Sequence, residues 1–166
     1  MLRIILPAVL MLLSACTANQ RIAGATPAYR TVAFEISSWG RPLGNWEVSR
    51  DGAARHMRTD GSVFSDHRRE HREFRIDDAQ LAELAAAVKA LPARRPREGA
   101  CRNYATDMPY GRLQLTDDAG EETIRFDSGC FDARYQAFVA QLRAMDELVG
   151  GWAERHPATR IEDIRY

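Results

Sequence analysis

Apolar residues along the chain fall into one unbroken run, several alternations and two helical stripes. The run, Ile4 to Leu13, follows Arg3 and gives way at once to Thr17, Asn19, Gln20 and Arg21. It is too short for a membrane span, which needs about 20 apolar residues. Residues 17 to 30 hold Thr17, Asn19, Gln20, Gly24, Thr26 and Pro27 without a sustained period, as in a flexible tether. Alternation begins near Thr31, where Val32, Phe34 and Ile36 take turns with polar or small neighbours as on a half-buried strand. Trp39 then leads into a turn through Gly40, Pro42 and Gly44. Trp46 and Val48 mark a second strand, and Asp51-Gly52 is a hairpin signal before a third around Ala54 to Arg58.

From Asp60 to Glu73 the chain is polar and charged, which predicts a long hairpin end, an edge strand or an exposed loop. Asp77 and Gln80 have capping-box spacing, and Ile76 with Leu81 completes a hydrophobic staple. Leu81, Leu84, Ala85, Val88 and Leu91 then form one helical stripe, ended by Pro92. Leu113 and Leu115 face Ile124 and Phe126 across a turn at Asp117-Asp118-Ala119-Gly120. A final helix is predicted from Asp132, with Tyr135, Phe138, Val139, Leu142, Met145, Val149 and Trp152 in one stripe and Gly150-Gly151 weakening or ending it. The economical architecture is α+β in two layers: an antiparallel sheet of about five strands packed by two helices, in the order β-β-β-α-β-β-α.

The leading run acquires a meaning from the residues on either side of it. A positive residue, a ten-residue apolar core and Leu13-Ser14-Ala15-Cys16 have the form of a secretion signal. Those last four residues resemble the lipobox of bacterial lipoproteins. The resemblance covers the signal only, and the domain layout is broadly similar to small uncharacterised domains of such lipoproteins. It implies cleavage before Cys16, a diacylglyceryl group on its sulfur and a third acyl chain on its amine. Each buried methylene adds about 0.8 kcal/mol, so three chains anchor the protein to the membrane without spanning it. Thr17, where an aspartate would favour the inner membrane, implies the periplasmic side of the outer membrane. The expected organisation is a signal peptide over residues 1–15, a lipidated tether over 16–30 and one periplasmic domain over 31–166.

Export also bears on the remaining cysteines. With Cys16 taken by lipid, Cys101 and Cys130 form one even pair in a chain that leaves the reducing cytosol, and a disulfide is the natural reading. Redox dithiols usually sit two residues apart and zinc sites need about four ligands at short spacings, so the long separation favours a structural bridge. The mature chain carries 22 basic residues, once Arg3 is removed from 23, against 23 acidic ones. This balance calls for no nucleic acid. Lys89 is the single lysine; the arginine bias reflects genome composition more plausibly than function.

The sharpest motif is His67-Arg68-Arg69-Glu70-His71, the H-x-x-E-H spacing of inverzincin metallopeptidases. On a helix His67 and His71 would share a face and ligate zinc, with Glu70 as general base; the surrounding arginines and the lack of apolar periodicity argue against it. Arg94, Arg95 and Arg97 form a basic loop able to dock anionic headgroups or cell-wall polymers. Trp39 is the aromatic to watch on the surface, whereas Trp46 and Trp152 belong to the core. Asp107 sits in a constrained turn, Thr106 to Tyr110, whose bland role is turn formation. There is no G-x-S-x-G elbow or phosphate-cradling glycine loop, and no residue asks for a cofactor. The sequence therefore points to a non-catalytic binding or assembly module with an envelope protein or cell-wall partner. The alternatives are a periplasmic metal-dependent hydrolase using His67, Glu70 and His71, and a ligand-binding inhibitor or sensor using the open face of the sheet.

Overall fold

A computed structural model describes residues 29–96 and 101–166. The signal-like segment, Cys16, Arg97 and the tether up to residue 28 lie outside the described residues. The described chain runs β1 (Thr31–Ser38), β2 (Arg41–Ser49), β3 (Ala53–Asp60), β4 (His67–Arg75), α1 (Asp78–Lys89), β5 (Tyr110–Thr116), β6 (Glu121–Asp127), α2 (Ala133–Ala153) and β7 (Arg160–Ile164). The strands form one sheet in the order β6-β5-β1-β2-β3-β4-β7, antiparallel throughout. Both helices pack on one of its faces.

The α+β layout with two helices is as expected, but the sheet has seven strands rather than about five. The additional strands are β4, drawn from the charged segment, and β7, close to the C-terminus. β4 has almost no apolar alternation because only Phe74, near its end, reaches the core. Of the two outcomes expected at Gly150-Gly151, a weakened helix or its end, the second does not occur. α2 runs through Gly150 and Gly151 because Trp152 and Ala153 beyond them are buried and hold the last turn down.

Each element has a local cause. β1 and β2 pair Val32 with Val48 and Phe34 with Trp46, which puts their apolar positions on the helix side. The β1–β2 hairpin closes on Trp39 and Gly40 with φ of 52° and 73°, both in the left-handed region that a type I′ turn requires. Asp51-Gly52 and Asp117-Gly120 turn the chain at the opposite end. α1 carries the expected capping box: Gln80 N donates to Asp77 Oδ1 at 2.9 Å, and Asp77 N donates to Gln80 Oε1 at 3.0 Å. It buries Leu84 and Val88.

The core is a sandwich of sheet and α2. Phe34 stacks between Trp46, at 5.7 Å between centroids, and Phe126, at 5.5 Å. Gly111 makes that stack possible, since a Cβ there would lie 2.8 Å from the Phe126 ring. The tether-side residues Tyr29 and Arg30 join this fold. Tyr29 packs against the core, and Arg30 N donates to Thr116 O at 2.6 Å. The other face of the sheet carries cross-strand ion pairs, Arg112–Glu35 at 2.9 Å and Arg55–Glu47 at 2.7 Å, and is polar as an uncovered face should be.

Candidate functional site

The chain enters at one end of the sheet, and exposed aromatics gather at the other. Trp39 is 63% exposed at the tip of the β1–β2 hairpin, and Phe64 is exposed in the β3–β4 loop. Arg41 ties them into one surface. Its guanidinium lies 4.5 Å from the ring centre of Tyr166 and 5.6 Å from that of Phe64, and its Nη1 donates to Val63 O at 2.6 Å. On the other side of the hairpin Gly40 N donates to Tyr110 Oη at 2.9 Å. Tyr110 pairs with Asp127, which in turn accepts from Tyr104 Oη at 2.6 Å. A linked band of Tyr104, Tyr110, Trp39, Arg41, Phe64 and Tyr166 thus crosses the end remote from chain entry. Trp39 was legible as a surface residue from its glycine-rich turn, and Tyr104 and Tyr110 as residues in or beside strand and turn segments; Arg41, Phe64 and Tyr166 carried no such signal. Asp107, with φ of 71°, turns the chain just before Tyr110 and so serves this end as a turn residue.

The histidine motif is placed differently from the helical arrangement that zinc ligation needs. It lies on β4, where four residues span about 13 Å, too far for His67 and His71 to share one ion. Glu70, at an odd offset from both, points to the opposite face. His67 Nδ1 lies 2.8 Å from the Ser65 carbonyl, to which it donates. His71 sits 3.3 Å from Glu162 and 3.2 Å from Arg160, within a cross-strand cluster with β7.

Cys101 and Cys130 are disulfide-bonded, with Cα atoms 5.6 Å apart. The bridge ties the lead-in of the β5–β6 hairpin to its exit, and three backbone contacts run beside it: Tyr104 bridges Cys130, Ala105 N donates to Gly129 O, and Phe131 N donates to Asn103 O. Arg94, Arg95, Arg102 and Arg134 surround the bridge and Asp132 in a cavity of about 900 Å³. Arg95 is committed to both oxygens of Glu122, and Asp132 accepts from Arg102 N at 3.2 Å. The Asp132 carboxylate lies within 4.8 Å of both sulfurs, but sulfurs joined to one another have no thiolate to offer a metal.

A second cleft, of about 560 Å³, opens between α2 and the helix side of β1, β2 and β3. No sequence motif signalled it. His56 lines it, 6% exposed, beside Trp46 in the β2–β3 register. Burial, then the positive charges of Arg72 and Arg58, hold His56 down at about 4, against a weaker opposing pull from Glu154. Its Nδ1, sealed from solvent, has no hydrogen-bond partner among the described residues. Asp146, on α2, accepts from Trp46 Nε1 at 3.0 Å. Burial raises its carboxyl above the usual range, partly offset by that hydrogen bond and by Arg58.

The opposed influences on Asp146 give a test of what it does. Asp146→Asn keeps an acceptor for Trp46 Nε1 and removes the cost of a buried charge, so urea denaturation at neutral pH is expected to show equal or greater stability, by about 1 kcal/mol. Asp146→Ala strands the indole N–H and is expected to cost about 1–3 kcal/mol. Equal loss in both variants would mean that the charge itself, not the acceptor, holds Trp46.

Comparisons with family models, curated proteins and solved structures returned no match. The chain's own geometry therefore carries its functional reading.

Proposed function

We propose that this protein is an envelope lipoprotein whose domain is a binding or assembly module, held by lipid on Cys16 and facing the periplasm from the outer membrane. The observation that carries the reading is the aromatic band at the end of the sheet remote from chain entry. Trp, Tyr and Arg are the residues that dominate binding energy at protein interfaces, because they bury large rigid surface while keeping a polar handle. Trp39 adds a second sign. A bulky residue in the left-handed region breaks a local preference, and such breaks cluster where binding requires them.

The two ends of the domain suit this role. A chain tethered at Cys16 enters at Tyr29, so strands of eight or nine residues carry the band about 25–30 Å further from the root of the tether. The partner favoured by this chemistry is another envelope protein. Photo-crosslinking amino acids at Trp39 and Phe64, with Asp118 at the opposite end as control, test the reading in cells. A discrete adduct from the first two positions, absent from the third, is the expected result. No adduct, or the same adducts from all three, would overturn it.

A further inference from the structure

We infer that the cleft between the C-terminal part of α2 and the helix side of β1, β2 and β3 binds an uncharged saccharide unit. This site is separate from the aromatic band and does not depend on the function proposed for it.

The first observation is the pair Gly150-Gly151. Glycine inside a helix is about 1 kcal/mol less favourable than alanine, so two in succession need a reason. Packing supplies none. A Cβ on Gly151 would meet nothing within 4 Å, and one on Gly150 would meet only His56 Nε2, at an ordinary 3.7 Å. Neither glycine has a positive φ. Their shared consequence is a stretch of the helix wall of the cleft that carries no side chains.

The second observation is His56, which is more than nine-tenths buried and lines the cleft: its Nδ1 is sealed from solvent, while Nε2, set against Gly150, makes no hydrogen bond among the described residues. A ligand hydroxyl in the cleft can give Nε2 the hydrogen bond that the protein does not. His56 is neutral around pH 7, so Nε2 meets that hydroxyl as a donor in one tautomer and as an acceptor in the other.

The third is the balance of the remaining polar groups. Arg58 and Arg143 are donors and Asp146, Glu147 and Glu154 acceptors; Arg58 is paired with Glu154 at 3.1 Å and Asp146 with Trp46, each with further capacity for a ligand. A charged ligand would meet like charge on part of this wall. An uncharged ligand with donors and acceptors on neighbouring carbons meets both kinds of partner, and that is the chemistry of sugar hydroxyls. Ile36 and Leu43 supply apolar surface for the C–H face of a ring, and a volume of about 560 Å³ lies in the range of small-ligand sites.

NMR titration of the protein, following the His56 ring resonances, tests this with glucose, N-acetylglucosamine and N,N′-diacetylchitobiose, using acetate and methylammonium as charged controls. Saturable shifts at millimolar concentration with at least one saccharide, and none with the controls, are expected. Gly151→Leu fills the cleft from a position with free space and suits a helix better than glycine. It is expected to melt at an equal or higher temperature while binding the saccharide at least tenfold more weakly. Arg143→Met, on the exposed side of α2, is expected to weaken binding with unchanged melting. No saturable shift with any of the three sugars, a response to acetate instead, or wild-type affinity in Gly151→Leu would overturn the assignment.

Discussion

Replacing Cys101 and Cys130 together by alanine is expected to lower the unfolding free energy by about 3–4 kcal/mol. The two residues are 29 apart in sequence. Closing a loop of that length removes denatured-state entropy of this size on the chain-entropy view. The structure gives the loop further significance. Between the two cysteines lie the segment carrying Tyr104 and Asp107 and the whole β5–β6 hairpin, so the bridge fixes one flank of the aromatic band. Backbone contacts at Ala105 and Phe131 reinforce it but are individually modest. The double variant avoids leaving a free thiol, and chemical denaturation of oxidised wild type against the variant measures the difference. A loss below about 1 kcal/mol would mean that the contacts alone hold the lead-in against the hairpin exit. Photo-crosslinking from Trp39 should survive the change, because the β1–β2 hairpin does not depend on the bridge.

The parts of the fold that were legible in sequence are those whose side chains meet the core at a regular period. Val32, Phe34, Trp46 and Val48 alternate because their strands lie at the centre of the sheet under α2. Leu84 and Val88 repeat at helical spacing because α1 lies flat on the same face. β7 escaped, and β4 stayed open between hairpin end, edge strand and loop, because they form one flank, where ion pairs and long polar side chains replace apolar contacts. His71 and Glu162, or Arg68 and Asp163, make cross-strand sense only after the pairing is known. The histidine motif failed for the same reason. Its spacing implies a shared site on a helix, and the backbone it occupies is a strand.

The candidate sites were less legible than the fold. Trp39 could be picked out because a turn places it, and a turn is a local event. The cleft joins His56 to Asp146 across Trp46, a relation between β2, β3 and α2 that no spacing encodes. One trace of it was present. Gly150-Gly151 interrupts an otherwise regular apolar stripe, and read as a helix stop it gives the wrong answer. Read as a helix that tolerates two glycines, it marks a place where local propensity gives way to another requirement.

His56 should dominate the acid limb of stability. In the unfolded chain its imidazole takes a proton near 6.5, whereas in the folded protein it does so only at about 4. Above pH 6.5 it is neutral in both states and contributes no pH dependence. As pH falls from 6.5 towards 4, the unfolded state binds a proton that the folded state refuses, so stability falls. The full depression corresponds to about 3 kcal/mol lost across that window. Arg72 from β4, Arg58 from β3 and Glu154 at the C-cap of α2 act on the ring; the two arginines favour its neutral form and Glu154 opposes them. Asp146 acts in the other direction. Its raised carboxyl pKa means that the folded state takes up a proton before the unfolded state does, which returns some stability as the solution becomes more acidic. Comparing wild type with His56→Gln by denaturation at pH 7, 6, 5 and about 4 isolates the imidazole, since every other group titrates in both proteins. The curves should separate progressively below pH 6.5, with the variant losing less. Parallel curves would show that the buried ring takes up its proton in the folded protein at the same pH as in the unfolded chain.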